Sequence, residues 1–504
     1  MQKVIPALVG LIVAASAVAA QETAISSRVA KALPTTFNTP TCTVKEGHYM
    51  VASGSTYLKS ASETSVPDLK NRMYRDAKRV LTDAIVNKGQ TDNGAAWYYL
   101  ARTYFRQGDI YGLDSAYTRA ADLLPECDSE IKKFRRTAWV SLVRPGAEFL
   151  QSGNDDSAKV LLERANVVYR DEPNAMYFLG ILYANRKQQD SAAAMFKRAV
   201  EVGSKSEELH ADRDKAQFNL AVIQGNMGEW DEAVRSWEQY LEWVPDDHDA
   251  QKALAQAYRK SGQDDKAKAL EAAMLASATS GTEMEGMSAS DIYGLGINAF
   301  NDGNFASAAD AFGAVLAQEP HNRDAMYNQA NALYAEATVV RGRIDSLKRA
   351  GETEGAAAAQ EELQKIGQEL IESSEFLLEH DPLNTDAKKL QGEGYRITRN
   401  QDKLVEIFTD VEAAPVSVAV VSFKRDGSGA KLTIEATGRQ PHDIQGKNVK
   451  STPVTIAVEF LDDGDQVVDT GDLTIPVLAP ATSQEFSVEG TGPGISWWRY
   501  HRVP

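Results

Sequence analysis

Residues 215–270 read KAQFNLAVIQGNMGEWDEAVRSWEQYLEWVPDDHDAQKALAQAYRKSGQDDKAKAL, and they carry one pattern twice. Leu220 and Leu254 stand 34 residues apart, as do Ala221 and Ala255, Gly228 and Gly262, and Ala233 and Ala267. A fixed period of this length marks stacked supersecondary units. Inside each copy the apolar residues recur at three-to-four spacing, which is helical. A large residue sits beside a small one, Leu220 with Ala221 and Leu254 with Ala255. The small member lets two helices cross closely, and the large one fills the space between units. No unit of this kind buries both its faces alone, so only a stack is stable.

Working outward, the pattern recurs. Residues 95–125 supply Trp97, Leu100, Ala101, Tyr104, Gly108, Tyr117, Ala120 and Pro125. Residues 142–173 supply Gly146, Phe149, Gly153, Ala158, Leu162 and Ala165, and residues 174–203 supply Leu179, Gly180, Tyr183, Ala192, Phe196 and Ala199. Residues 290–320 supply Leu295, Gly296, Gly303, Ala308, Phe312 and Pro320. These copies resemble the tetratricopeptide repeat (TPR) family, whose unit is a pair of antiparallel helices. The resemblance implies a mainly α fold: a solenoid of helical hairpins whose first helices line a concave, protein-binding groove.

The array divides into a first part, 68–275, a linker, 276–290, and a second part, 291–412. Between Leu254 and Leu295 the chain carries 7 residues beyond one period, which is why 276–290 reads as an insertion. A unit opens at Asp324 with Tyr327, Ala330 and Leu333, then gains residues rich in Ala, Glu, Gln and Lys. Extended helices through 336–380 are expected there, with a last helical pair over 384–409.

After Glu412 the period changes from helical to two-residue alternation. Segments 416–423, 431–437, 454–461, 466–469, 472–477, 484–488 and 496–502 read as short strands, so 413–504 is expected to be a small all-β, immunoglobulin-like sandwich. VEFLDDGDQVV, from Val458, and LAPATSQEFSV, from Leu478, resemble the FxLYD-type domains of exported bacterial proteins, with Asp462 where that family carries Tyr.

The chain opens MQKVIPALVGLIVAASAVAA: Lys3, an apolar run, then small residues. That is the layout of a secretory signal peptide cleaved near Ala20, and it implies a secreted or periplasmic protein. No later segment is long and apolar enough to span a bilayer. Residues 21–67, rich in Ser and Thr with Pro34, Pro40 and Pro67, read as an irregular lead-in. Cys42 and Cys127 are the 2 cysteines; in an oxidising compartment they are either bridged or two free thiols, and sequence leaves both open. The net charge of -17 repels phosphate backbones, so nucleic acid is not expected as a partner.

Residues that suggest chemistry have structural readings. Gly294-Leu295-Gly296-Ile297-Asn298-Ala299 fits a dinucleotide fingerprint but lies inside a repeat's first helix, without the strand that motif needs. His48, His210, His248, His321, His380, His442 and His501 show no metal-ligand spacing. Asp462, Asp463 and Asp465 around Gly464 suit a solvated hairpin turn better than a calcium loop. No catalytic residue, cofactor or metal is expected.

The groove is where function is expected. By the family's geometry its lining falls on Tyr98 and Arg102, Tyr177 and Ile181, Phe218 and Val222, Tyr293 and Ile297, and Tyr327 and Asn331, with Phe105, Phe300 and Tyr334 one turn on. Aromatics recurring once per unit either pack against the superhelix's own opposite wall or the C-terminal domain, or suit capture of a protein or peptide by apolar burial. The Lys and Asn clamp that some members use for a C-terminal carboxylate is not reproduced. The expected function is an exported, non-enzymatic scaffold or adaptor. Its rival is a structural subunit that self-associates into an extracellular or cell-envelope polymer.

Overall fold

The computed structural model describes residues 39–279, 287–439, 442–444, 447–449 and 452–503. The expected signal peptide, the lead-in before residue 39 and the centre of the linker lie outside these residues. The chain divides into two compact units, residues 1–262 and 263–504.

Every regular element among the described residues of the first unit is a helix. Helices α1 (Tyr49–Glu63) and α2 (Pro67–Asn87) form the opening hairpin. They are followed by α3 (Gly94–Gln107) with α4 (Ile110–Leu123), and α5 (Asp128–Gln151) with α6 (Asp155–Val168). Next come α7 (Asn174–Asn185) with α8 (Gln189–Gly203), α9 (His210–Met227) with α10 (Trp230–Trp243), and then α11 (His248–Lys260). Short loops make neighbours antiparallel. Asn93, Asp109, Asn154 and Asp247 cap their helices by accepting from backbone N–H groups of the first turn. Gly108, Gly153, Gly228 and Gly262 take left-handed backbone at the turns of four copies, and Lys187 takes it at the turn between α7 and α8.

Helix α1 departs from the expected irregular lead-in. Its sequence is rich in Ser, Thr and Gly, which are poor helix formers. Packing overrides propensity: Val51, Leu58 and Ala61 are buried, and Gly54 lies so close to α2 that a Cβ there would meet Leu81 Cγ at 2.4 Å. The residues before α1 are tied down as well. Cys42 and Cys127 form a disulfide across a sequence separation of 85. Thr41 donates through N and Oγ1 to Glu130 Oε2 at 2.8 and 2.9 Å, and Cys42 N donates to the same oxygen at 3.3 Å.

The second unit begins with α12 (Asp264–Thr279), α13 (Ala289–Asn301) and α14 (Phe305–Gln318). Helix α12 therefore includes the first residues assigned to the linker. Helices α15 (Arg323–Ala350) and α16 (Thr353–His380) run 28 residues each. They pack through Val340, Ile344, Ala359, Leu363 and Ile366 beyond the ordinary hairpin length. Helices α17 (Thr385–Ile397) and α18 (Gln401–Ala413) follow. Gly296 sits mid-helix at the α13–α14 crossing, where a Cβ would meet Ala311 Cβ at 3.0 Å.

Among the described residues eight strands follow: β1 (Val416–Arg425), β2 (Gly429–Gly438), β3 (His442–Ile444), β4 (Lys447–Val449), β5 (Val454–Leu461), β6 (Val467–Ile475), β7 (Ser483–Thr491) and β8 (Trp497–Val503). Two three-stranded antiparallel sheets, ordered β1-β2-β7 and β6-β5-β8, face each other; β3 and β4 make a separate hairpin. The order places strands as in an immunoglobulin-like sandwich. Alternating residues fill one core: Leu432, Ile434 and Ala436 from one sheet, and Ile456, Val458, Phe460, Trp498 and Tyr500 from the other. Segments 466–469 and 472–477, expected as two strands, are the single strand β6. Gly471 is not a break there; a Cβ on it would strike Val488 Cγ2 at 2.6 Å, so it lets β6 lie against β7.

Two predictions follow from close approach and from the bridge. A Cβ on Gly180 would meet the Phe196 ring at 2.6 Å, so Gly180→Leu is expected to cost roughly 1–3 kcal/mol by overpacking. Lys197→Leu, on the exposed face of the same hairpin, is expected to be near neutral; urea unfolding of both variants checks the difference. Cys42→Ser is expected to lower stability by about 2–4 kcal/mol through release of the cross-link, measured by unfolding without reductant.

Candidate functional site

The residues expected along the groove separate into three environments. Tyr98 and Arg102 are buried, at 0% and 4% exposure. Tyr98 donates to Glu130 Oε1 at 3.0 Å, while the other oxygen of that carboxylate holds Thr41 and Cys42. Arg102 lies over the Phe134 ring, 5.0 Å from its centroid. Burial pushes the Tyr98 hydroxyl pKa well up. These two residues and Phe105 belong to the core of the first unit and offer no surface to a partner. The pinned lead-in and the helices around it close over them.

Tyr177, Phe218 and Tyr293 are half-buried, and each rests on the second helix of its own hairpin. Tyr177 meets Phe196 at 5.9 Å between ring centroids, Phe218 meets Trp237 at 4.9 Å, and Tyr293 meets Phe312 at 5.4 Å. Their recurrence once per unit reflects this aromatic contact across the hairpin. Tyr293 also accepts a hydrogen bond from Asn328 Nδ2 at 2.7 Å. Ile181 and Ile297 are likewise half-buried, and Val222 is 36% exposed.

Tyr327 and Asn331 stand in the third environment. With Tyr334 they present one face of α15 to a cavity of about 680 Å³. The opposite wall comes from α18, through Leu404, Ile407, Phe408 and Val411. Tyr327, Tyr334 and Phe408 are 37%, 39% and 64% exposed, so these rings are open. The rim is of mixed charge. Lys389 pairs with Asp386 at 2.8 Å, and Arg396 pairs with Glu393 at 2.5 Å. Glu393 is held below the usual carboxylate range by its arginine partners Arg396 and Arg341, against the opposing effect of burial. The α18 residues were not singled out from sequence, although Leu404, Ile407, Phe408 and Val411 recur at helical spacing on that terminal helix.

The sandwich is fastened to this helical array at one cluster. Arg323, at the start of α15, lies 3.5 Å from the Trp498 ring centroid and donates through Nη2 to the Trp498 carbonyl. Tyr500 of β8 donates to Asp381 at the end of α16 and accepts from Leu383 N at 3.2 Å. His321 stacks on Trp497 at 3.7 Å with the rings 7° apart, and its Nε2 meets Asp465 Oδ1 at 2.9 Å. Burial drives the Arg323 pKa down to about 10 and raises that of Asp381. Burial also lowers that of His380, whose Nδ1 donates to the Phe376 carbonyl at 2.9 Å. Asp465 thus belongs to a β-turn that docks on the array. Asp462 Oδ1 accepts from Gly464 N and Gln466 N, both at 2.9 Å, as a turn carboxylate does. No group of three or more His, Cys, Asp or Glu is placed to hold a metal among the described residues. No described helix is long and apolar enough to cross a membrane.

Residues 68–112, 218–281 and 293–369 match the family model described as tetratricopeptide repeat. No curated protein matches the chain significantly. Among solved structures the chain is similar to PilF of Pseudomonas aeruginosa, at 14% identity over 46% of this chain and 93% of that one, with a TM-score of 0.30. It is similar to a tetratricopeptide repeat protein of Parabacteroides merdae at 17% identity over 56% and 99%, with a TM-score of 0.24. It is also similar to the C-terminal part of a TPR repeat-containing protein of Cytophaga hutchinsonii, at 12% over 54% and 95%, with a TM-score of 0.32. The matched stretches of the helical array carry tetratricopeptide-type repeats.

The docking cluster is expected to be acid-sensitive. The His380 pKa lies below its unfolded value of about 6.5. Its neutral form is therefore compatible with full stability above that pH, and stability is lost as pH falls through the folded value. The raised Asp381 pKa acts in the opposite sense, favouring the fold below about 4 and losing that contribution as pH rises through the folded value. Between pH 7.5 and 5.5 the protein is therefore expected to lose more stability than its His380→Asn variant, as read by thermal unfolding at a series of pH values.

Proposed function

We propose that this chain is an exported, non-catalytic scaffold that captures a segment of a partner protein in the cavity between α15 and α18. The observation that carries the reading is the open aromatic face of Tyr327, Tyr334 and Phe408 around a cavity of about 680 Å³. Large rings give contact area with few rotors to freeze, which suits them as binding anchors. Here they are already held by helices, so little ordering opposes binding. Asn331 supplies a polar group on the apolar wall, and the paired charges of the rim suit a segment with one apolar and one polar face.

Export is supported by the character of residues 1–20 and by the Cys42–Cys127 bridge, since disulfides persist in oxidising compartments. N-terminal sequencing of the mature protein tests it, with a new terminus near Ala20 expected. The rival, a self-associating structural subunit, predicts concentration-dependent polymers in sedimentation. A scaffold predicts a fixed small species.

The groove is tested by a photo-crosslinking residue placed at Tyr334 in cells. One or a few discrete adducts are expected, and none from the same residue at Lys197. Tyr334→Ala with Phe408→Ala is expected to leave helicity unchanged and to weaken binding of the recovered partner at least thirtyfold, since one anchor typically contributes on the order of 2 kcal/mol. Unchanged affinity for the recovered partner in that double variant would count against the cavity.

A further inference from the structure

A second binding surface lies on the sandwich. Strand β1 is the outer strand of its sheet and pairs only with β2. Among the described residues, β2 supplies the only backbone partners of Ser417–Ser422. Natural edge strands are commonly blunted by lysine, proline or a covering element. The run SVAVVS from Ser417 to Ser422 has neither residue, and Val420 and Val421 are 37% and 49% exposed. The one irregularity is a register shift at Val421, which leaves Ser417–Val420 as regular edge. On the other sheet, β8 differs, because Arg323 donates to the Trp498 carbonyl.

The β1 edge faces a cleft of about 510 Å³. All residues from Ser417 to Ser422 line it, so the backbone edge bounds it and not one face of the strand alone. The facing wall is helical, with Asp324 and Tyr327 of α15 and Asn384 and Asp386 at the start of α17. The lining is acidic. Asp386 is paired with Lys389, whereas Asp324 and Glu435 form no ion pair among the described residues. Arg323, the basic residue in the lining, is half-buried and engaged with Trp498.

We infer that the β1 edge is a strand-addition site for an extended partner segment with basic side chains at alternate positions. Backbone hydrogen bonds to Ser417–Val420 give the added strand its register, and alternate side chains meet Glu435 and Asp324 across the cleft. The four regular residues of β1 span about 13 Å, enough to pair with the middle of a longer extended segment. The inference does not depend on the α15–α18 cavity.

The probe is an N-acetylated octapeptide alternating valine with lysine and threonine, read by fluorescence anisotropy against the full mature chain. Saturable binding is expected. An octapeptide with glutamate for lysine should bind at least tenfold more weakly. Two further probes carry N-methyl groups on alternate backbone nitrogens, in the two possible phases. One should lose binding and the other keep it, because an edge strand pairs through alternate residues. Asp324→Lys combined with Glu435→Lys should weaken the lysine probe about tenfold or more, while Tyr334→Ala with Phe408→Ala should leave it unchanged. Both N-methylated probes binding equally, or loss of binding in the Tyr334/Phe408 variant alone, would overturn the inference. So would absence of saturable binding, or displacement of the probe by a second copy of the chain forming dimers at β1.

Discussion

A helical hairpin of two short helices cannot bury both of its faces, and everything else in this protein follows from how closely each hairpin crosses. Gly180 and Gly296 sit where a Cβ would press on the second helix, against Phe196 and against Ala311 and Phe312. Ala221 fills the same role with its methyl group fully buried. Close crossing brings an aromatic of the first helix onto one of the second, as in Tyr177 with Phe196 and Phe218 with Trp237. Those contacts tie the two helices of each hairpin together.

The same constraint explains where sequence was a good guide. A small residue at a fixed place in every unit is required by geometry, so the 34-residue period and the helical fold class were legible from Leu220, Ala221, Gly228 and their counterparts. The change to alternating residues after Glu412 likewise announced strands, because a sheet with one buried face needs a period of two. Features settled by tertiary contact were less visible. Helix α1 forms from poor helix formers because Gly54 lets it lie against Leu81. Gly471 read as a break in a strand, yet it serves close packing against Val488. A glycine has no side chain to show which of these it does.

The candidate groove shows the same division. A spacing argument places Tyr98, Tyr177, Phe218, Tyr293 and Tyr327 on equivalent positions, and it has no access to what each ring touches. Tyr98 is covered because Glu130 also anchors Thr41 and Cys42. The middle three are half-covered by their own hairpins, and Tyr327 remains open beside Tyr334. What distinguishes the last position is the pair of lengthened helices and the terminal helix α18, whose Phe408 supplies a facing wall. The docking of the sandwich through Arg323, Asp381 and Tyr500 then sets the β1 edge near the same helices.

The division of aromatic residues into packing rings and open anchors is the central claim, and hydroxyl-radical footprinting of the free protein tests it without knowledge of any partner. Oxidation is followed residue by residue by mass spectrometry. Phe408, Tyr334 and Tyr327 are expected to oxidise fastest, Tyr177, Phe218 and Tyr293 more slowly, and Tyr98 only on unfolding. Tyr177 and Phe218 reacting as fast as Phe408 would contradict it and return the groove to the full length of the array.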